Sequence, residues 1–315
     1  MNHDQRLKTV VKEFLPEFFQ LFFPAWVTVF DFSRVEWLEQ ELFPDPPDGK
    51  RRVADLVAQL PTLKPIRTSA ETTERHFIAL IHLELEANDS VAVMRRRMHR
   101  YYSGFRDRHN LPVLPIALYV NVGLDGVGTE VLAELFETDE GQPTFETLTF
   151  RYLYVGLPAL AAEDYVECGN PLGAAFSALM KTPRGQLVAM KAKALRQIAQ
   201  ACHNQRQQEL LSEFVMAYKP LNPTQISELR QLIQTPPYQE TRKMATIFFE
   251  EGRLEGLHEG LREATKIILE GRFGPLPKRV TKIIETWPDQ SLRTLTQTVA
   301  SLKSLSDLKP YDRKK

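Results

Sequence analysis

The chain has 315 residues, 43% of them hydrophobic and 25% charged, with 40 basic residues against 40 acidic ones. That length supports a sizeable core and more than one domain. Zero net charge argues against a globally basic nucleic-acid binder, so any basic surface must be local. Cys168 and Cys202 are the only cysteines; they cannot build a disulfide framework or a cysteine zinc site, and they suit a reducing cytoplasm, the expected location.

The start of the chain, Met1 to Lys8, is polar, and no secretory leader is expected. Phe14 to Phe30 is strongly apolar, but Pro16, Glu17, Gln20 and Pro24 interrupt it, so no membrane span is expected. Leu7 to Phe23 reads as an inward-packing helix and Trp26 to Phe32 as a strand. Val35 to Leu42 reads as a short helix, with Ser33 as N-cap and Glu36 near its start. Pro44 to Lys50 carries turn chemistry. Arg52 to Leu60 and Phe77 to Glu86 read as strands joined by a polar connection at 61–74.

Asp89 or Ser90 can cap a helix running to about His109, on which Val91, Met94, Met98, Tyr101, Tyr102 and Phe105 share one face. Leu111 to Val122 is a continuous apolar run, a strand buried on both faces. Leu148 to Val155 is a further strand. The order predicts a mixed α/β core. From about residue 165 the pattern turns helical, with helices expected over Pro171–Met180, Leu187–Cys202, Gln207–Tyr218 and Pro223–Ile233. The expected division is an α/β core over 1–165, a helical extension over 166–236 and a helical module over 237–315. In that module Glu240 to Glu270 reads as one long helix. Its Glu-Gly repeat, Glu251-Gly252, Glu255-Gly256 and Glu259-Gly260, puts glycines where each costs about 1 kcal/mol relative to Ala. Either they allow close helix–helix approach between subunits, as a homodimer or higher oligomer, or the helix is weak and solvated.

Three acids stand out. Asp55 lies in Arg51-Arg52-Val53-Ala54-Asp55-Leu56-Val57, and Glu84 and Glu86 lie in His82-Leu83-Glu84-Leu85-Glu86. On a strand His82, Glu84 and Glu86 share a face, and the two glutamates sit about 6.5 Å apart. Such a set can hold Mg²⁺ through hard oxygen ligands, or it can be the solvent side of a half-exposed sheet. His82 either packs or hydrogen-bonds within the sheet, contacts a metal, or tunes a carboxylate. The helix that follows carries Arg95, Arg96, Arg97, Arg100, Arg106 and Arg108, which suit phosphate contacts or form a solvated face.

The ordered segments resemble the Rpn family of recombination-promoting nucleases and transposases, of the PD-(D/E)XK superfamily. The Phe-rich run Phe14 to Pro24 is similar to the family's opening helix. Arg52-Val-Ala-Asp55-Leu-Val and Leu80-Ile-His82-Leu-Glu84-Leu-Glu86 resemble its two acidic strands. Arg97-Met98-His-Arg-Tyr101-Tyr102 resembles the next helix, and Pro112 to Tyr119 the closing strand. The resemblance covers about residues 5–180. It implies a restriction-endonuclease-like mixed sheet flanked by helices, followed by an all-helical C-terminal region. It further implies a Mg²⁺-dependent DNA endonuclease, with Mn²⁺ as a substitute, linked to recombination or transposition. Asp55, Glu84 and Glu86 would be catalytic metal ligands, Glu36 an auxiliary acid, and Arg96, Arg97 and Arg100 DNA phosphate contacts. Glu86 departs from the family's Lys or Gln. It would bind a second metal, or it marks a catalytically weakened DNA-binding or oligomeric interaction protein.

Overall fold

A computed structural model describes residues 3–38, 42–45, 50–53, 55–67, 75–86, 90–136, 145–238, 240–242 and 260–299, with 302, 304 and 305. Within these, the side chains of 3, 4, 42–45, 50–53, 75, 76, 86, 289 and 297 are not described. The chain forms two compact units, Met1–Arg242 and Lys243–Lys315.

The first unit opens with α1 (His3–Glu13) and α2 (Leu15–Phe22). Its rings gather early: Phe19 lies 5.8 Å from Phe30 and 5.1 Å from Phe32. The region expected as a strand over Trp26–Phe32 is instead two 3₁₀ turns, Pro24–Trp26 and Phe32–Arg34. Pro24 begins the first turn. Asp31 holds the second by accepting from the Ser33 N–H, local bonding that competes with a ladder. The helix expected over Val35–Leu42 is a two-residue edge strand, β1 (Glu36–Trp37), paired with Gln59 and Ala58. Its Leu38 N–H continues onto the Val57 carbonyl, so pairing overrides local helix preference.

β2 (Leu42–Asp45) and β3 (Lys50–Val53) form a small antiparallel pair. β4 (Leu56–Arg67) and β5 (Arg75–Glu86) are a long hairpin, so much of the stretch expected as a connection over 61–74 is strand. The reading missed this because Pro61 and Pro65 interrupt the β pattern. The register shifts between Pro61 and Ile66, the irregularity that accommodates prolines within a sheet.

Ser90 caps α3 (Val91–His109) by accepting from the Val93 N–H. The helix then crosses to β6 (Val113–Tyr119), which runs parallel to β5. β7 (Gly126–Phe136) and β8 (Phe145–Gly156) complete a six-stranded mixed sheet of order β1-β4-β5-β6-β8-β7. β7 was not anticipated. Gly126, Gly128, Glu130 and Glu134 blur its alternation, because as an edge strand it is half-exposed on both faces. Met94 and Met98 of α3 pack on Ala117, Tyr119, Phe150 and Tyr152, which seats the helix on one sheet face.

Helices α4 (Ala162–Val166), α5 (Pro171–Phe176), α6 (Leu187–Ala201), α7 (Gln205–Ala217) and α8 (Pro223–Leu232) follow. They join the same unit: Phe176 meets Phe22 of α2 at 6.3 Å and Phe214 of α7 at 5.6 Å. Lys191 is buried in α6 and donates to the Val215 and Tyr218 carbonyls at the end of α7. Burial, with Lys219 nearby, pushes its ammonium down to about 8. The unfolded chain therefore binds more protons between about pH 8 and 10.5, and stability attributable to Lys191 rises with pH across that window. Lys191→Met is expected to flatten the rise, read as the wild-type minus variant difference in urea midpoints; parallel curves would contradict it.

In the second unit the described helices are residues 260–273, Lys278–Thr286 and Asp289–Thr298. Leu269, Val280, Ile283, Ile284, Leu292 and Leu295 form its core. Residues 251–259 of the Glu-Gly repeat lie outside the described residues. Among the described residues no helix is long and apolar enough to cross a membrane.

Candidate functional site

The register of the β4–β5 hairpin pairs Leu56 with Leu83 and Val57 with His82. One step back along β4, Asp55 stands at a bend opposite Glu84. The Asp55 N–H donates to Glu84 Oε2 at 3.3 Å, and the Leu85 N–H donates to Asp55 Oδ2 at 2.8 Å. Strand geometry explains the second bond. Leu80 donates its N–H to Pro112, beside β6, so odd-numbered amides of β5 point toward β4. β4 begins at Leu56, and beyond that end the Leu85 amide donates to the Asp55 carboxylate. Asp55 is therefore at the break between β3 and β4, not inside one strand.

Two cations meet the two acids. Lys8 Nζ from α1 lies 2.7 Å from Asp55 Oδ1. Arg97 from α3 donates to Glu84 Oε1 at 3.1 Å. His82 Nε2 lies 3.2 Å from Glu84 Oε2, and a proton on Nε2 makes the imidazole the donor. The ring is fully buried between Tyr101 at 5.2 Å and Phe105 at 5.1 Å, and among the described residues Nδ1 has no hydrogen-bond partner. Burial and the charge of Glu84 push the Asp55 carboxyl up to about 6, against the opposing pull of Lys8 and the Leu85 N–H.

The structure thus brings Asp55 and Glu84 together. Glu86 ends β5 with its backbone opposite Tyr119; its side chain lies outside the described residues. Among the described residues no group of three or more His, Cys, Asp or Glu is arranged to hold a metal ion. The convergent acids are a pair, and Mg²⁺ is commonly held by one or two carboxylates with water completing the shell. Their hard oxygens fit that ion. Glu36 is exposed on the edge strand β1, on the far side of β4 from Glu84.

The arginines of α3 divide. Arg97 turns inward to Glu84, and Arg95 pairs with Glu130 of β7 through its Nε at 2.6 Å. Arg96 and Arg100 are exposed. Tyr101 is core, and Tyr102 packs on Phe150 at 5.2 Å. Sequence reasoning missed Lys8. The available signal was its place on α1 beside Leu7, Val10 and Val11, all buried: a lysine bordering an apolar stripe must lead its stem toward a partner. No protein-family model, curated protein or solved structure matches this chain.

Proposed function

We propose that the first unit is a metal-dependent DNA endonuclease with a restriction-endonuclease-like sheet, acting in a reducing cytoplasm. The observation that carries this reading is the convergence of Asp55 and Glu84, tied through each other's strand and flanked by Lys8 and Arg97. Asp55 and Glu84 would hold Mg²⁺ or Mn²⁺, which when bound lowers the pKa of a water and takes up charge on a phosphate. Lys8 and Arg97 set positive charge where a phosphodiester would otherwise meet two bare carboxylates. In hydrolysis a water oxygen bonds to phosphorus, the ester P–O bond breaks, and the departing oxygen leaves with a proton. Arg96 and Arg100 extend the positive surface along α3.

Purified protein is expected to nick supercoiled DNA with Mg²⁺ or Mn²⁺, and Asp55→Ala is expected to reduce the rate by about a hundredfold or more. Nicking that survives in Asp55→Ala sinks the proposed centre.

A second reading rests on a different observation. All four carboxylate oxygens of the pair already have a protein donor or cation. A nuclease-derived DNA-binding or oligomeric protein that has lost catalysis would keep such a neutralised pair as structure. Mn²⁺ binding by calorimetry separates the two: micromolar affinity lost in Glu84→Ala supports the enzyme, and absence of binding in the wild type supports the scaffold.

A further inference from the structure

A groove of about 590 Å³ lies between α3 and β7, lined by Ala92, Arg95, Arg96, His99, Arg100, Ser103, Leu132 and Glu134. Three of these carry guanidinium groups, and Glu134 is the single acid. Arg95 is held on the groove wall by Glu130, so its charge is partly spent. Arg96 is exposed. The lower wall includes Leu132, partly buried against the core under α3, and the His99 ring, which stands edge-on to Phe150 at 5.2 Å. One end of the groove reaches Ala92 in the first turn of α3, which carries no acid.

The groove and the acidic pair lie on different flanks of α3, with Arg95 turned to Glu130 on one and Arg97 to Glu84 on the other. At 100° per residue, Arg100 stands about 40° around the helix from Arg96 and about 60° from Arg97. Arg96, Arg100 and Arg97 therefore form a band around α3. The band begins in the groove and ends on Glu84.

We infer that this groove takes the backbone of a single-stranded nucleic-acid segment, led over α3 toward Asp55 and Glu84. The inference rests on the nuclease reading for its direction, and on the groove alone for its ligand. Arg96 and Arg100 contact phosphates as forked donors. Leu132 and His99 offer surface to bases, which a single strand can turn inward and a paired duplex cannot. A site for duplex backbone alone would need the cations but not Leu132 and His99.

The test is fluorescence anisotropy in EDTA with a labelled oligothymidylate of about 16 nucleotides, and with a duplex of equal length. EDTA removes metal-dependent cleavage from the measurement. The single strand is expected to bind more tightly than the duplex. Arg96→Glu and Arg100→Glu are each expected to weaken it tenfold or more. In Arg96→Ala the slope of log affinity against log salt should fall by about 0.7, one phosphate contact. Arg151→Glu is the control: Arg151 is exposed, and strand alternation puts it on the sheet face opposite Tyr152 and α3. Unchanged binding in the two charge reversals, tighter binding of duplex, or no binding by the wild type overturns the inference.

Asp55→Ala separates this outcome from that of the nuclease reading. It should keep oligothymidylate binding while losing nicking. A wild type that binds through the groove but never nicks leaves the groove standing without the enzyme. Nicking that depends on Asp55 but is indifferent to Arg96 and Arg100 does the reverse.

Discussion

Asp55→Asn is expected to stabilise the protein at pH 8 by about 1–3 kcal/mol while removing metal-dependent cleavage. The carboxyl is raised to about 6 by burial and by Glu84, against about 3.9 in an unfolded chain. Below about pH 4 both states are protonated, and the group does not oppose folding. Between about pH 4 and 6 the unfolded chain releases its proton first, so stability falls as pH rises. Above pH 6 the whole difference, about 3 kcal/mol, weighs against the native state. Asn carries no charge to desolvate, and its amide oxygen still accepts from the Leu85 N–H. The opposing pull of Lys8 is already contained in the value of about 6, and imperfect mimicry of a protonated carboxyl by the amide sets the lower end of the range. Urea unfolding of both proteins at pH 4 and pH 8 measures it. The variant should gain on the wild type between the two, and equal shifts would show that Asp55 is not desolvated as described.

Arg97→Met is expected to destabilise by about 3–5 kcal/mol, because Glu84 stays buried without its guanidinium. The two side chains are 14% and 3% exposed, so water cannot replace the lost partner. Glu84→Gln alone leaves Arg97 short of a counter-charge and should also destabilise. In the double variant Glu84→Gln/Arg97→Met no charge of this pair remains, and most of the loss should be recovered. A double-mutant cycle by chemical denaturation reads the coupling directly. Additive effects would mean that the ion pair is loose.

How much of this was legible in the chain depends on what each residue was competing with. β5 and β6 were readable because Leu80 to Leu85 and Ile116 to Tyr119 are buried runs with flanking turn signals. α3 was readable because Ser90 and the Met94, Met98, Tyr101, Phe105 stripe agree. Trp26 to Phe32 was not, because the same aromatic residues that favour a strand also favour a ring cluster around Phe19, and Pro24 and Asp31 tipped the balance. β7 was hidden by its half-exposure: Val127, Val131 and Leu135 point away from α3 and remain solvent-facing, so no clean apolar face declares itself. Within the site, the meeting of Asp55 with Glu84 could be guessed because both flank a hairpin. Lys8 could not, because 47 positions separate it from Asp55 and only packing of α1 brings it there. Arg97 and Arg100 look alike in sequence, and the 60° between them around the helix decides which one turns in.

The bond from the Leu85 amide to Asp55 has a consequence for precision. A loop acid ordinarily wanders with its loop, and freezing it at the moment of use carries an entropic penalty. Here one carboxylate oxygen stands as a rung of the sheet, in register with β5, so the acid inherits the stiffness of the strand beside it. Its second oxygen meets the Lys8 ammonium at 2.7 Å. The group is anchored to a strand on one side and paired with a side chain on the other, and the hairpin supplies that anchor without a single added residue.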